Sequence, residues 1–389
     1  MKNYFFKKLA FSMLFIAILV CGTDKVYAAS SSLNEFENEI ALLSDEVPEE
    51  LIGVVKGRMT YFDSILLYDE GIMSGNKSIG SPFSVYDDDA DETYYYFPLY
   101  FNNEIIKTIF CFYDDTLGEW QTNMSGYLIE ELTELFIEEQ ENNKKMGFLQ
   151  KNADMYLINE DLSSSLFYDS PLSEDYVESN QLTWDNFEFQ DLTEEYENTL
   201  IYTVPIVSEA TERSLKSQGQ NYLHLDFLEN QGSNSWCAAY AATSIIRYHT
   251  KKSTPTAQQM MTSLYPNSSN LASESASNIQ CIQYATNHGF HSISNRLGVA
   301  TITETATEIN ANRPFWISAL EQGSAIKKGR HAFVVRGYAN FDFYQTISVW
   351  NPWSSANYGY DLMNPASQLI STHGTVWKQD SGLFSWHYK

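Results

Sequence analysis

Three short fragments of this 389-residue chain carry side chains suited to acyl transfer. They are Gln231-Gly232-Ser233-Asn234-Ser235-Trp236-Cys237, Gly329-Arg330-His331-Ala332-Phe333-Val334-Val335, and Trp350-Asn351-Pro352-Trp353. They supply a thiol, an imidazole and an amide, in that order. A free thiol is mostly protonated at neutral pH, and the thiolate is the nucleophile. Two features can lower the pKa of Cys237. It opens a predicted helix, so the positive end of the dipole faces it, and His331 can pair with it as an imidazolium. Asn351 can accept from, or donate to, the far nitrogen of His331 and so hold the ring in one orientation. Trp353 can cover that hydrogen bond and exclude water. Gln231 stands six residues before the thiol, and its amide, with the backbone N–H of Cys237, would form an oxyanion hole.

The elements that must position these groups follow from pattern. Trp236 to His249 reads as a helix with Ala241, Ala242, Ile245 and Ile246 along one side. Thr254-Pro255 marks a helix start, and helices over Ser275 to His288, stopped by Gly289, and over Thr303 to Asn312 follow. Then the period changes to two: Phe315 to Leu320, His331 to Tyr338 and Thr346 to Trp350 read as strands. Helices first and strands after give an α+β domain with a helical half and a sheet half.

These fragments resemble the staphopain group of papain-like cysteine peptidases, secreted by Gram-positive bacteria. The resemblance runs from about Gln220 to the C-terminus. It rests on Gln231, Gly232, Trp236, Cys237, Ala238 and Tyr240, on Tyr265-Pro266-Asn267, on His331, Ala332, Val334 and Val335, and on Trp350 to Trp353. The chain departs from the family block at Ala239, where Gly is usual. The resemblance implies a papain-like fold whose sheet half is a barrel. It gives Cys237 as nucleophile, His331 as general base and acid, Asn351 as orienter and Gln231 in the oxyanion hole, with Trp353 and Trp236 as supports. It also implies a secreted zymogen whose N-terminal segment blocks or distorts the cleft until removed. No cofactor is expected.

Charge divides the chain. Residues 30–213 carry 8 basic and 40 acidic residues, whereas residues 214–389 carry 12 and 9. The two halves read as modules with different jobs. A net charge of -26 repels phosphate backbones and argues against a nucleic-acid partner. Hydrophobic residues at 43% and aromatics at 15% supply real cores and exclude a disordered chain. Lys2, Lys7 and Lys8, the apolar run Leu9 to Val20 and the small residues before Ala29 read as a signal peptide cut after Ala28. Val20 before Cys21 disfavours lipidation, and no stable membrane anchor is expected.

The expected organisation is therefore residues 1–28 as signal peptide, 29–213 as an acidic propeptide and 214–389 as the peptidase domain. The propeptide reads as strand-rich, with a hairpin over Tyr94 to Tyr100 and Ile105 to Phe112 and one longer helix over 127–146. Ser208 to Gln220 reads as linker and activation site. Cys111, Cys281, Trp316, Trp350 and Trp377 read as core, and the acidic run Asp87 to Glu92 as a solvated loop rather than a calcium site. No histidines have ligand spacing, so no metal is expected. The expected partners are protein or peptide substrates, the chain's own propeptide as inhibitor, and a dedicated protein inhibitor. The competing readings are a Cys-His hydrolase of cell-wall or leader peptides and a non-catalytic secreted binding protein on the same scaffold.

Overall fold

The structure is a computed structural model. It describes residues 40–44, 47–70, 77–88, 92–115, 117–138, 144–151, 154–159, 163–168, 194–197, 200–203, 219–322, 329–354, 361–372 and 375–389. The expected signal peptide, most of the expected linker and the centre of the acidic run lie outside these residues.

Helices and largely antiparallel sheets make an α+β fold. Residues 39–389 pack as one unit, but the strands form two large sheets that divide where the charge divides. The first sheet has eleven strands, from Ile40–Ser44 to Leu200–Thr203. Its centre is the expected hairpin, observed as Glu92–Phe101 against Glu104–Asp114. Cys111 lies in the second of these strands, fully buried.

Among the described residues two α-helices accompany this sheet, and both differ from the sequence reading. Glu49–Ile65 falls in the region expected to be strand-rich, yet it is a 17-residue helix. Leu51, Val55, Met59 and Phe62 recur at helical spacing and are buried. Gly53 and Gly57, both poor helix formers, mask that pattern. The helix expected over 127–146 is shorter, Ile129–Glu138. Lys144–Lys151 is a strand instead, paired with Asp154–Asn159 so that Phe148 and Leu149 join the sheet and are buried.

The second sheet closes on itself. Strands Arg330–Phe341, Phe315–Glu321, Thr375–Phe384, Leu369–Thr372, Asp361–Met363 and Tyr344–Trp350 pair in that order, and the last pairs back with the first. The result is a six-stranded antiparallel barrel. The helices Cys237–Thr250, Ala257–Leu264, Asn278–Asn287 and Ile302–Asn310 form the helical half. The last three each begin with a capping box, built on Thr256, Ser277 and Thr301. The start expected at Thr254-Pro255 thus falls just before the true cap. Gly289, at a φ of 94°, follows the end of Asn278–Asn287 in a backbone conformation that favours glycine. Trp316, Trp350, Trp377 and Cys281 are all in the core between the two halves.

The two sheets also share cores. Tyr222, Phe341, Tyr344 and Leu362 pack with Leu51, Met59, Phe62 and Phe97. Tyr61 stacks on Phe341 and Tyr344, with centroids 5.1 and 5.7 Å away. At the base of this contact Arg336 and Asp69 form a two-pronged ion pair, one arm 2.6 Å long, with the side chains 0% and 2% exposed. Arg336 also donates from Nε to Leu223 O and from Nη1 to Ser348 Oγ, so these bonds engage four of its five N–H donors.

Candidate active site

Cys237 is the first residue of the helix Cys237–Thr250, whose first turn carries no acidic side chain. The loop before it is pinned at several points. Trp236 Nε1 donates to Leu271 O at 2.9 Å, Ser235 N to Ala272 O at 2.9 Å, and Trp236 N to Asn234 Oδ1 at 3.1 Å. Trp236 is therefore a clamp on the loop that delivers the thiol. The sulfur lies within hydrogen-bonding reach of the backbone N–H of Ala332, the residue after His331. The thiol at the start of the helical half thus lies against the barrel strand that carries His331, 94 residues further along the sequence.

His331 sits near the start of the strand Arg330–Phe341, opposite Ala319. Its Nε2 lies 2.8 Å from Asn351 Oδ1. The same oxygen accepts the backbone N–H of Trp353 at 3.0 Å, and Asn351 Nδ2 donates to Thr372 Oγ1 at 3.2 Å. A backbone N–H can only donate, so the atom it meets is the amide oxygen. That oxygen can only accept from His331, so Nε2 carries a hydrogen, and in the neutral ring the lone pair is on Nδ1. Of the two roles open to Asn351 from sequence, the structure selects acceptor. Trp353 lies over the ring, centroids 3.9 Å apart and planes within 26°, and His331 and Asn351 are both buried. The tryptophan thus covers one face of the imidazole beside that hydrogen bond.

Gln231 reaches the site through its backbone, whose N–H donates to Pro352 O at 2.8 Å. Gly232, at a φ of 57°, turns the chain away toward Cys237. The side-chain Nε2 donates to Asn234 O, and Oε1 is buried with no partner. One hydrogen of the amide is therefore spoken for, and the other is the one that an oxyanion would use.

Electrostatics depart from the sequence expectation. Although Cys237 is only partly buried, desolvation of its sulfur pushes the thiol above its ordinary pKa, and the N–H groups of Ala332, Ala238 and Cys237 itself pull it back. Desolvation of the charged form outweighs the helix terminus here. The sign follows directly: at neutral pH the full chain holds less thiolate than a free cysteine. Alkylation of Cys237 by iodoacetamide, followed by peptide mapping, should therefore be slow at pH 7 and still be rising above pH 8.5, about the free-thiol value. A rate already flat at neutral pH would contradict this. Cys111 and Cys281 are buried and do not compete. Burial lifts the Cys281 thiol to about 12, with Cys237 adding to the shift.

The sequence reading missed Thr372 and Asp361, the groups behind Asn351. A lone Thr and a lone Asp in separate strands carry no motif. Among the described residues no cluster of His, Cys, Asp and Glu could hold a metal.

With this geometry in view, residues 216–374 match the family described as staphopain peptidase C47. This stretch of the second half is thus similar to a staphopain-type cysteine peptidase domain. Staphopain B of Staphylococcus aureus strain MSSA476 is 22% identical over 357 residues, covering 88% of each chain. Staphopain B of strain NCTC 8325 gives the same identity and coverage. The alignment to these relatives extends through the acidic first half, well beyond the staphopain-type domain.

Proposed function

We propose that the chain is a secreted cysteine endopeptidase made as a zymogen. In this reading residues 1–28 direct export, 29–213 form the inhibitory propeptide, and 214–389 are the enzyme. Cys237 attacks a peptide carbonyl while His331 Nδ1 takes the thiol proton. The tetrahedral oxyanion is held by the N–H of Cys237 and by Gln231 Nε2. His331 then gives its proton to the leaving amine, the C–N bond breaks and a thioester remains. Water, deprotonated by the same nitrogen, hydrolyses the thioester and restores the thiol.

The observation that carries this reading is the His331–Asn351 hydrogen bond at 2.8 Å under the ring of Trp353, beside an N–H that reaches Cys237. It leaves Nδ1 as the nitrogen suited to serve the thiol. The zymogen part is supported by the ion pair and aromatic stack through which the first half grips the barrel. For export, the apolar run near the N-terminus is the support; among the described residues no helix is long and apolar enough to cross a membrane.

N-terminal sequencing of the protein in culture supernatant tests the precursor. A fragment beginning between Ser208 and Gln220 and active on casein is expected. A chain that begins at Ala29 and cleaves casein at full rate would contradict the zymogen. A zymogram clearing peptidoglycan but not casein would favour the wall-hydrolase reading.

A further inference from the structure

Behind Asn351 the hydrogen bonds continue to the other half of the molecule. Asn351 Nδ2 donates to Thr372 Oγ1 at 3.2 Å. Thr372 in turn is hydrogen-bonded to the carboxylate of Asp361, which also receives the Ser125 hydroxyl at 2.7 Å and the Gly126 backbone N–H, with Lys107 nearby. His331, Asn351, Thr372, Asp361, Ser125 and Lys107 are all buried. Ser125, Gly126 and Lys107 belong to the first module; the others belong to the barrel.

The direction of this chain is fixed by its ends. A carboxylate only accepts, and a hydroxyl has one hydrogen. Thr372 must give that hydrogen to Asp361 and can only accept from Asn351. This is a second lock, independent of the Trp353 N–H, on the amide orientation that keeps the His331 hydrogen on Nε2. Burial raises the Asp361 carboxyl, while Ser125, Thr372, Lys107 and Gly126 pull it down. Ser125 and Thr372 thus draw on one negative charge, and in a buried network each bond polarises the next.

We propose that Asp361 is a positioning residue that acts through Thr372 and Asn351 on the tautomer of His331, and that the first module touches the catalytic imidazole through this same carboxylate. The role rests on the reading of His331 as catalytic base. Withdrawal of the Ser125 and Gly126 donors concentrates the carboxylate on Thr372, so release of the first module is felt at the ring.

The test uses the full chain with ring-15N-labelled histidine. The His331 signals are assigned by their loss in His331→Ala. The wild type should show one tautomer, hydrogen on Nε2. Thr372→Val should move the tautomer ratio toward Nδ1–H by roughly tenfold, the worth of one good buried hydrogen bond, and Thr372→Ser should restore it. Asp361→Asn, which keeps the volume, should move the signals the same way and serves if the valine variant does not fold. Ser125→Ala, remote from His331, should shift the His331 signals in the opposite sense, because the carboxylate then bears more fully on Thr372. Wild-type signals in the Thr372→Val and Asp361→Asn chains, or in Ser125→Ala, would overturn the proposal. Because the readout is the ring and not hydrolysis, such a failure with casein cleavage intact removes the relay alone. Failure of the peptidase reading shows instead in replacement of Cys237.

Discussion

Cys237→Ala should abolish casein hydrolysis, lowering the rate on the order of 10⁴-fold or more, as expected when the nucleophile of a cooperating set is removed. The substitution removes only the sulfur from the start of the helix Cys237–Thr250. The clamp of Trp236 on Leu271 O and the His331–Asn351–Trp353 cluster do not depend on that atom. The folded state should therefore survive, with an unchanged circular dichroism spectrum and melting temperature. Labelling by thiol-directed peptidyl inhibitors should vanish with the activity. Residual hydrolysis above a tenth of wild type would mean that another group attacks the carbonyl.

The second large effect lies far from the thiol. Asp69→Ala leaves the Arg336 guanidinium buried, with no countercharge at Asp69, beneath the shared core. Removing one partner of a buried pair costs about 3–5 kcal/mol, most of it the penalty on the charge left behind. In the inactive Cys237→Ala background the melting temperature of the full chain should fall by roughly 5 °C or more. In the otherwise native chain, the same change should loosen the first module and raise casein hydrolysis before any cleavage of the precursor. Arg336→Met combined with Asp69→Leu should recover most of the stability, because no unpaired charge remains. An Asp69→Ala chain as stable and as latent as the wild type would show that the pair does not hold the two halves together.

Much of the barrel and its helical partner was legible because local pattern and tertiary environment agree there. Ile245 and Ile246 lie on the buried side of their helix, and the strands Phe315–Glu321, Arg330–Phe341 and Tyr344–Trp350 match their expected spans within a few residues. The strands that close the barrel, Asp361–Met363 and Leu369–Thr372, are three and four residues long. Such runs are too short for periodicity to register, and they exist because neighbouring strands supply their hydrogen bonds. The helix Glu49–Ile65 was hidden by its glycines, although Leu51, Val55 and Met59 at spacing four held the signal. Of the site, the residue types of Cys237, His331, Asn351 and Gln231 were legible. The tautomer of His331 was not, since it depends on the Trp353 N–H and on a hydroxyl twenty-one residues beyond Asn351. The raised pKa of Cys237 was likewise out of reach, because burial is a property of the whole packed molecule.

Trapping the covalent intermediate tests the central chemistry most directly. The activated protein is mixed with an activated peptide ester, quenched in acid within milliseconds and digested for mass spectrometry. The acyl group should be found as a thioester on the peptide containing Cys237, and His331→Ala should cut its rate of formation. An acyl group on Ser233 or Ser235, or turnover of the ester with no adduct on Cys237 at any quench time, would contradict the account.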